Sequence, residues 1–290
     1  MANLKEIRSR INSVSSTMQI TNAMKMVSAA KLNRAQEAIT AMRPYSNKLT
    51  ELLQSLSASS EGESSEFAQE REVQNVLVVA ISSNRGLAGA FNSNIIKGVK
   101  HLSENQLSGK NIDLLLIGKK AGDVLSKTMN VVESNNEIFD DLTFNNVANM
   151  AEKMMEDFIA EKYDQILFVY NKFINAATQE VMTEQFLPIL PKKEEQEEIQ
   201  GNNEVDYIFE PEKDQIINEL IPKTLKIQLF KAIRDSFASE HGARMTAMHK
   251  ATDNATDLRD ELTLSYNKAR QAAITNEILE IVGGAEALNS

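Results

Sequence analysis

The chain has 290 residues, room for one or two domains, and 31 basic against 41 acidic side chains, a formal charge of −10 that disfavours non-specific nucleic-acid binding. It has no cysteine, which removes disulfides, thiolate metal sites and cysteine nucleophiles together. Its three histidines, His101, His241 and His249, are too few and too scattered for a histidine metal cluster.

The N-terminus, MANLKEIRSRINSV, is charged from the start and lacks the apolar core of a signal peptide. Leu4, Ile7, Ile11, Val14 and Met18 recur at steps of three and four, and Met24 to Leu56 continue the pattern with a shift of phase. This predicts a long helix over 1–57, with a kink or break at Pro44. Its polar face is basic, Arg8, Arg10, Lys25, Lys31, Arg34, Arg43 and Lys48 against Glu6 and Glu37. Residues 58–72, rich in serine and glutamate, have almost nothing to bury and read as a linker.

From 73 to 210 the pattern changes. Apolar strands at 76–82, 112–118, 165–171 and 180–190 are separated by helices at 91–102, 119–128 and 145–163. Short buried strands alternating with helices predict a mostly parallel, three-layer α/β domain, Rossmann-like in form, with the last strand as an antiparallel edge. The charged stretch 191–204 is expected to be a mobile loop. No apolar run approaches the ~20 residues that span a bilayer, so a soluble, intracellular chain is expected, held at a membrane only through a partner.

Residues 211–290 hold a short helix at 213–220 and then a second long one. From Pro222, placed as a first helical turn, to the Gly283-Gly284 pair, placed as its end, apolar and small residues follow the helical step. Such a helix is about 100 Å long, and its narrow stripe is stable only when covered. The simplest covering is the N-terminal helix, giving an antiparallel coiled coil in which Ala251, Ala255, Ala269, Ala272 and Ala273 permit close approach. The fold class is therefore α/β plus a long antiparallel coiled coil, with the terminal helices paired and the α/β domain between them.

Chemistry is harder to find. SSNRGLAGAFN (82–92) follows the first strand, where glycine-rich turns cradle phosphate, but Gly86 and Gly89 lack the third glycine of the dinucleotide fingerprint. Asp257, Arg259, Asp260 and Glu261 spread around a helix as solvated charges. No catalytic, cofactor-binding or metal-binding residue can be named. Two classes stay open: a mechanical or scaffold protein whose rod engages partners, and an α/β enzyme with coiled-coil arms. The missing phosphate and catalytic motifs favour the first.

IRSRINSVSSTMQITNAMKMVSAAKL at the start, SSNRGLAGAFN in the middle and SEHGARMTAMHKATDNATDLRDELTLSYNKARQAAITNEILEIVGGAEAL at the end resemble the γ subunit family of F-type ATP synthases. The resemblance covers the whole chain, and ITNEILEIVGGAEA (274–287) is its most specific part. It implies a central rotor shaft without an active site or cofactor of its own, turning inside a hexamer of α and β subunits. It couples ion flow through the membrane sector to ATP synthesis or hydrolysis on the β subunits. The implied partners are α, β, ε and the membrane c-ring, at the cytoplasmic face of a bacterial plasma membrane. By position, Met24, Lys25, Glu240, Arg244, Arg270 and Gln271 are expected to meet the α/β hexamer, and Tyr207 and Glu210 the c-ring. Ala88 stands where many members carry cysteine. Gly242 stands where the family often has alanine, which is expected to soften the shaft at ~1 kcal/mol of helix propensity.

Overall fold

The run Asn75–Ile81 is apolar and buried at every position after the first. Only the centre of a sheet covered on both faces accepts such a strand. In the computed structural model, which describes residues 4–58, 66–69, 71–189 and 213–289, it is β1, the middle of five strands. The others are β2 (Asn111–Ile117), β3 (Asn130–Asn135), β4 (Gln165–Phe173) and β5 (Gln179–Leu187). The spatial order is β3-β2-β1-β4-β5, parallel except for β5, which runs antiparallel to β4. The helices are α1 (Leu4–Ala58), α2 (Phe91–His101), α3 (Lys119–Leu125), α4 (Phe144–Ile159) and α5 (Lys213–Asn289). The chain thus has helical N- and C-terminal segments around a central, mostly parallel sheet.

It divides into two compact units, Lys31–Ala243 and Met1–Ala30 with Arg244–Ser290. In the first, the two faces of the sheet have separate cores. Val76, Val78, Ala80, Leu114 and Leu116 point to one side, where Ile95, Val99 and Leu102 of the α2 segment and Ala121 and Leu125 of α3 cover them. Leu77, Val79, Ile81, Phe168 and Phe186 point to the other, under Val147, Met154 and Phe158 of α4. Ile221, Leu225, Leu229, Ala232 and Ile233 of α5 complete that second core. The first part of α5 is therefore a layer of the α/β unit, although the sequence alone gives the whole C-terminal helix to the coiled coil. A helical stripe records that a face is buried and says nothing about what covers it.

In the second unit, α1 and α5 pair antiparallel. The hydroxyls of Thr21 and Thr252 bond at 2.8 Å, and Thr256 donates its hydroxyl to Met18 Sδ at 3.3 Å. Ile7, Met248 and Ala255 are buried.

Four local expectations change. The α1 helix continues unbroken through Pro44. Pro222 lies inside α5 and does not start it, and the helix runs on through Gly283 and Gly284. Proline removes one backbone bond, and neighbouring turns locked by burial, such as those of Ile221 and Leu225, hold the helix across it. Glycine permits a left-handed end without requiring one, and neither Gly283 nor Gly284 takes positive φ. Finally, β3 is absent from the sequence reading, because an edge strand of alternating exposure, NVVESN, has no apolar run to announce it.

Candidate functional site

In open sheets of this type ligands bind beyond the carboxyl ends of the strands, where the strand order reverses. Here that point lies between β1 and β4, beside SSNRGLAGAFN. Gly118 ends β2 with φ +91, and a Cβ there would stand 2.3 Å from the carbonyl oxygen of Ser82, so the two backbones touch. The opening N–H groups of α3 are all engaged inside the chain. Lys119 N–H reaches Asn84 Oδ1 at 3.3 Å, Lys120 N–H the carbonyl of Ser83 at 3.0 Å, and Ala121 N–H the hydroxyl oxygen of Ser82 at 3.1 Å. Ser83 N–H takes Asn92 Oδ1 at 3.0 Å. The N–H groups that open α3, which could otherwise face an anion at this point, are already bonded.

The crevice itself is filled by α5. Asn171 of β4 donates its side-chain amide to the carbonyl of Phe91 at 3.1 Å, and Ser239 of α5 donates to the carbonyl of Asn171 at 2.9 Å. One turn on, Ala243 packs with Ala88 and Phe91, and Gly242 lies against the backbone of Ala176 in the β4–β5 turn. Among the described residues no group of three or more His, Cys, Asp or Glu side chains is placed to hold a metal ion. No described helix is long and apolar enough to cross a membrane.

A run of exposed apolar residues lies at the far end of α5. In an antiparallel pair the residue numbers of facing positions have a constant sum, 273 for Thr21 with Thr252 and 274 for Met18 with Thr256. By that register Leu4, where α1 begins, faces about residue 270. Tyr266 and Ala269 are still half-buried, whereas every residue from Arg270 to Ala285 is exposed. Ile274, Ile278, Ile281 and Val282, 48–65% exposed, recur at steps of four, three and one and so form one stripe. Thr275, Glu277 and Glu280 fall outside it. The last 20 or so residues of α5 thus project about 30 Å beyond the described start of α1, carrying an apolar face that none of the described residues covers. Ala272 and Ala273 lie on this projection and not in the seam with α1. Unequal helix lengths were the sequence signal for it.

The residues expected to meet partners fall at separate places. Arg270 and Gln271 are exposed where the projection begins. Met24 and Lys25 are half-buried on α1, and the carbonyl of Met24 accepts the Ser28 hydroxyl at 2.8 Å. Glu240 and Arg244 are both 7% exposed, one turn apart on α5. Tyr207 and Glu210 lie outside the described residues.

A pair of antiparallel helices, an α/β unit whose crevice is closed by its own stretch of α5, and an apolar helix end that the described residues leave exposed define a class of protein that works through contact with other chains. Comparison with known proteins is specific. The ATP synthase family model matches residues 3–288. The ATP synthase gamma chain of Christiangramia forsetii is 67% identical over 290 residues, the whole of both chains. That of Geobacter sp. (strain M21) is 43% identical over 289 residues, 99% of each chain. The chain belongs to the ATP synthase gamma chain family. Among solved structures, a chain of the Euglena gracilis mitochondrial ATP synthase OSCP/F1/c-ring assembly shares the fold, with TM-score 0.70 at 24% identity, over 98% of this chain and 94% of that one. A chain of the Tetrahymena thermophila central stalk and c-ring structure aligns with TM-score 0.57 at 25% identity, covering 80% and 99%.

Proposed function

We propose that this chain is the central rotor shaft of an F-type ATP synthase at the cytoplasmic face of a bacterial plasma membrane. It turns with the membrane c-ring inside a hexamer of α and β subunits and couples ion flow to ATP synthesis or hydrolysis on β. It has no active site of its own and reaches the membrane only through the c-ring and ε. The observation that carries this reading is the projecting end of α5. A helix showing one apolar stripe to water for about 30 Å is stable in service only inside a sleeve. Its partner must touch that stripe on all sides as the rod turns, which suits a ring of subunits.

Arg270 and Gln271 are proposed as polar grips at the start of the projection, Met24 and Lys25 as contacts along α1, and Glu240 and Arg244 as contacts near the α/β unit. Tyr207 and Glu210 are proposed for the c-ring. Charge-assisted bonds of ~1.5–3 kcal/mol can be exchanged between successive β subunits. The filled crevice between β1 and β4 supports a role without nucleotide chemistry on this chain.

The test is affinity purification of the tagged chain, expressed with α, β, ε and c, from membranes in mild detergent. Recovery of all four in a complex that pumps ions on ATP is expected. Recovery of the chain as a homodimer that binds ATP with magnesium would overturn the reading.

A further inference from the structure

Among the described residues the strand β5 pairs only with β4, and its outer edge has no strand partner there. Gln228 of α5 covers the later part, donating its amide to Glu184 Oε1 at 2.8 Å and to the carbonyl of Gln185 at 3.1 Å. Beside Val181 and Thr183 of the earlier part, a groove of about 380 Å³ lies between β5 and the α2 segment. The groove has a built wall. Gly98 brings α2 onto the sheet, since a Cβ there would lie 3.0 Å from Val181 Cγ1 and 3.3 Å from Val169 Cγ1. Leu102 and Val181 supply apolar lining.

The polar lining converges from three elements. Asn94, Lys97 and His101 stand at helical spacing on one face of α2, and Thr183 comes from β5. Gln106 comes from the wide π-helical turn Leu102–Gln106 that continues α2, a distortion frequent at functional sites. None of these five side chains makes a hydrogen bond or ion pair within the described residues, so each is available to an incoming group. The ionisable lining residues, Lys97 and His101, are both basic in a chain of net charge −10, and the nearby Glu104 and Glu180 do not line the groove.

We propose that this groove takes an extended, carboxylate-bearing segment of a partner protein, added as a strand to the open edge of β5. Main-chain bonds to the edge supply affinity, and alternate side chains enter the groove to be read by Lys97 and His101. A strand is favoured over a small anion because the groove runs beside an unpaired edge and has apolar as well as polar lining.

The test uses the full chain and a fluorescein-labelled peptide of alternating glutamate and valine, followed by anisotropy and amide hydrogen exchange. Saturable binding, new protection of the Gln179–Thr183 amides, and at least tenfold weakening in Lys97→Glu with His101→Glu are expected. Both substituted side chains are exposed, so circular dichroism should match the parent. The proposal is overturned by absence of saturable binding or by equal binding of the lysine-for-glutamate peptide. It is overturned as well if binding survives the charge reversal, or if succinate displaces the peptide without any change in β5 protection, which would mark a small-anion site.

Discussion

A Cβ on Gly242 would stand 3.1 Å from Cα of Ala176 and 3.2 Å from its carbonyl oxygen. The turn it would press on is fixed: Asn175 Oδ1 accepts the N–H groups of Ala177 and Thr178 at 2.9 and 2.8 Å. Gly242 is therefore a packing requirement, where the sequence alone suggested a soft point in the shaft. Gly242→Ala gains up to ~1 kcal/mol of helix propensity, against ~1–3 kcal/mol for overpacking a backbone that cannot retreat. We expect a net loss of about 1 kcal/mol in urea unfolding; a stabilised variant would show that the turn yields.

Gly118 is more demanding, because φ is +91 and the added Cβ would meet backbone at 2.3 Å. Gly118→Ala is expected to lose about 3 kcal/mol or more, combining strain and displacement of β1 from β2. Unfolding midpoints measured beside Gly242→Ala would rank the two.

The Thr21 and Thr252 hydroxyls meet at 2.8 Å between the two helices of the rod, and each also lies within bonding reach of a carbonyl of its own helix, at 3.1 and 2.9 Å; with one proton each, one hydroxyl donates across the seam and the other to its own helix. Replacing either threonine by valine removes the bond across the seam, leaving the other hydroxyl only its own-helix carbonyl, and is expected to cost about 1 kcal/mol, while replacing both costs less than the sum. A double-mutant cycle should return a coupling energy near 1 kcal/mol. Strict additivity would mean the bond contributes nothing.

Burial, together with hydrogen bonds to Asp113 and Glu184, pushes the phenols of Tyr163 and Tyr170 well above their ordinary value. A raised folded pKa favours the protonated form, so the contribution is complete below the unfolded value near 10 and is lost as pH rises past it. Stability is expected to fall steeply above about pH 10, and less steeply in Tyr163→Phe with Tyr170→Phe. Chemical denaturation at pH 8, 10 and 11 would measure both slopes.

At the rod end, Arg270→Leu with Gln271→Leu should leave the helix content unchanged, since both side chains are exposed. ATP-driven ion pumping by the assembled complex should fall by about tenfold or more, the equivalent of one lost charge-assisted bond. Asp257→Asn, also exposed, should do little. Full pumping in the double variant with normal assembly would reduce the two residues to solvated surface.

Much of this architecture lies open in the chain order of residues. Buried parallel strands such as Asn75–Ile81 show as unbroken apolar runs, and long helices show as stripes at steps of three and four, because each periodicity is a local property of the backbone. Family membership was legible too, in ITNEILEIVGGAEA and its companions. What covers each stripe was not legible. Ile221 to Ile233 pack on the sheet and Met248 and Ala255 lie in the rod, although both sets follow the same step. The closing of the β1–β4 crevice by Ser239, Gly242 and Ala243 also needed the tertiary structure, since contacts between residues some 70 to 150 positions apart leave no periodic trace. Pro222 inside a helix was misjudged for the same reason: local propensity is worth ~3 kcal/mol for proline, and burial of Ile221 and Leu225 by distant residues outweighs it.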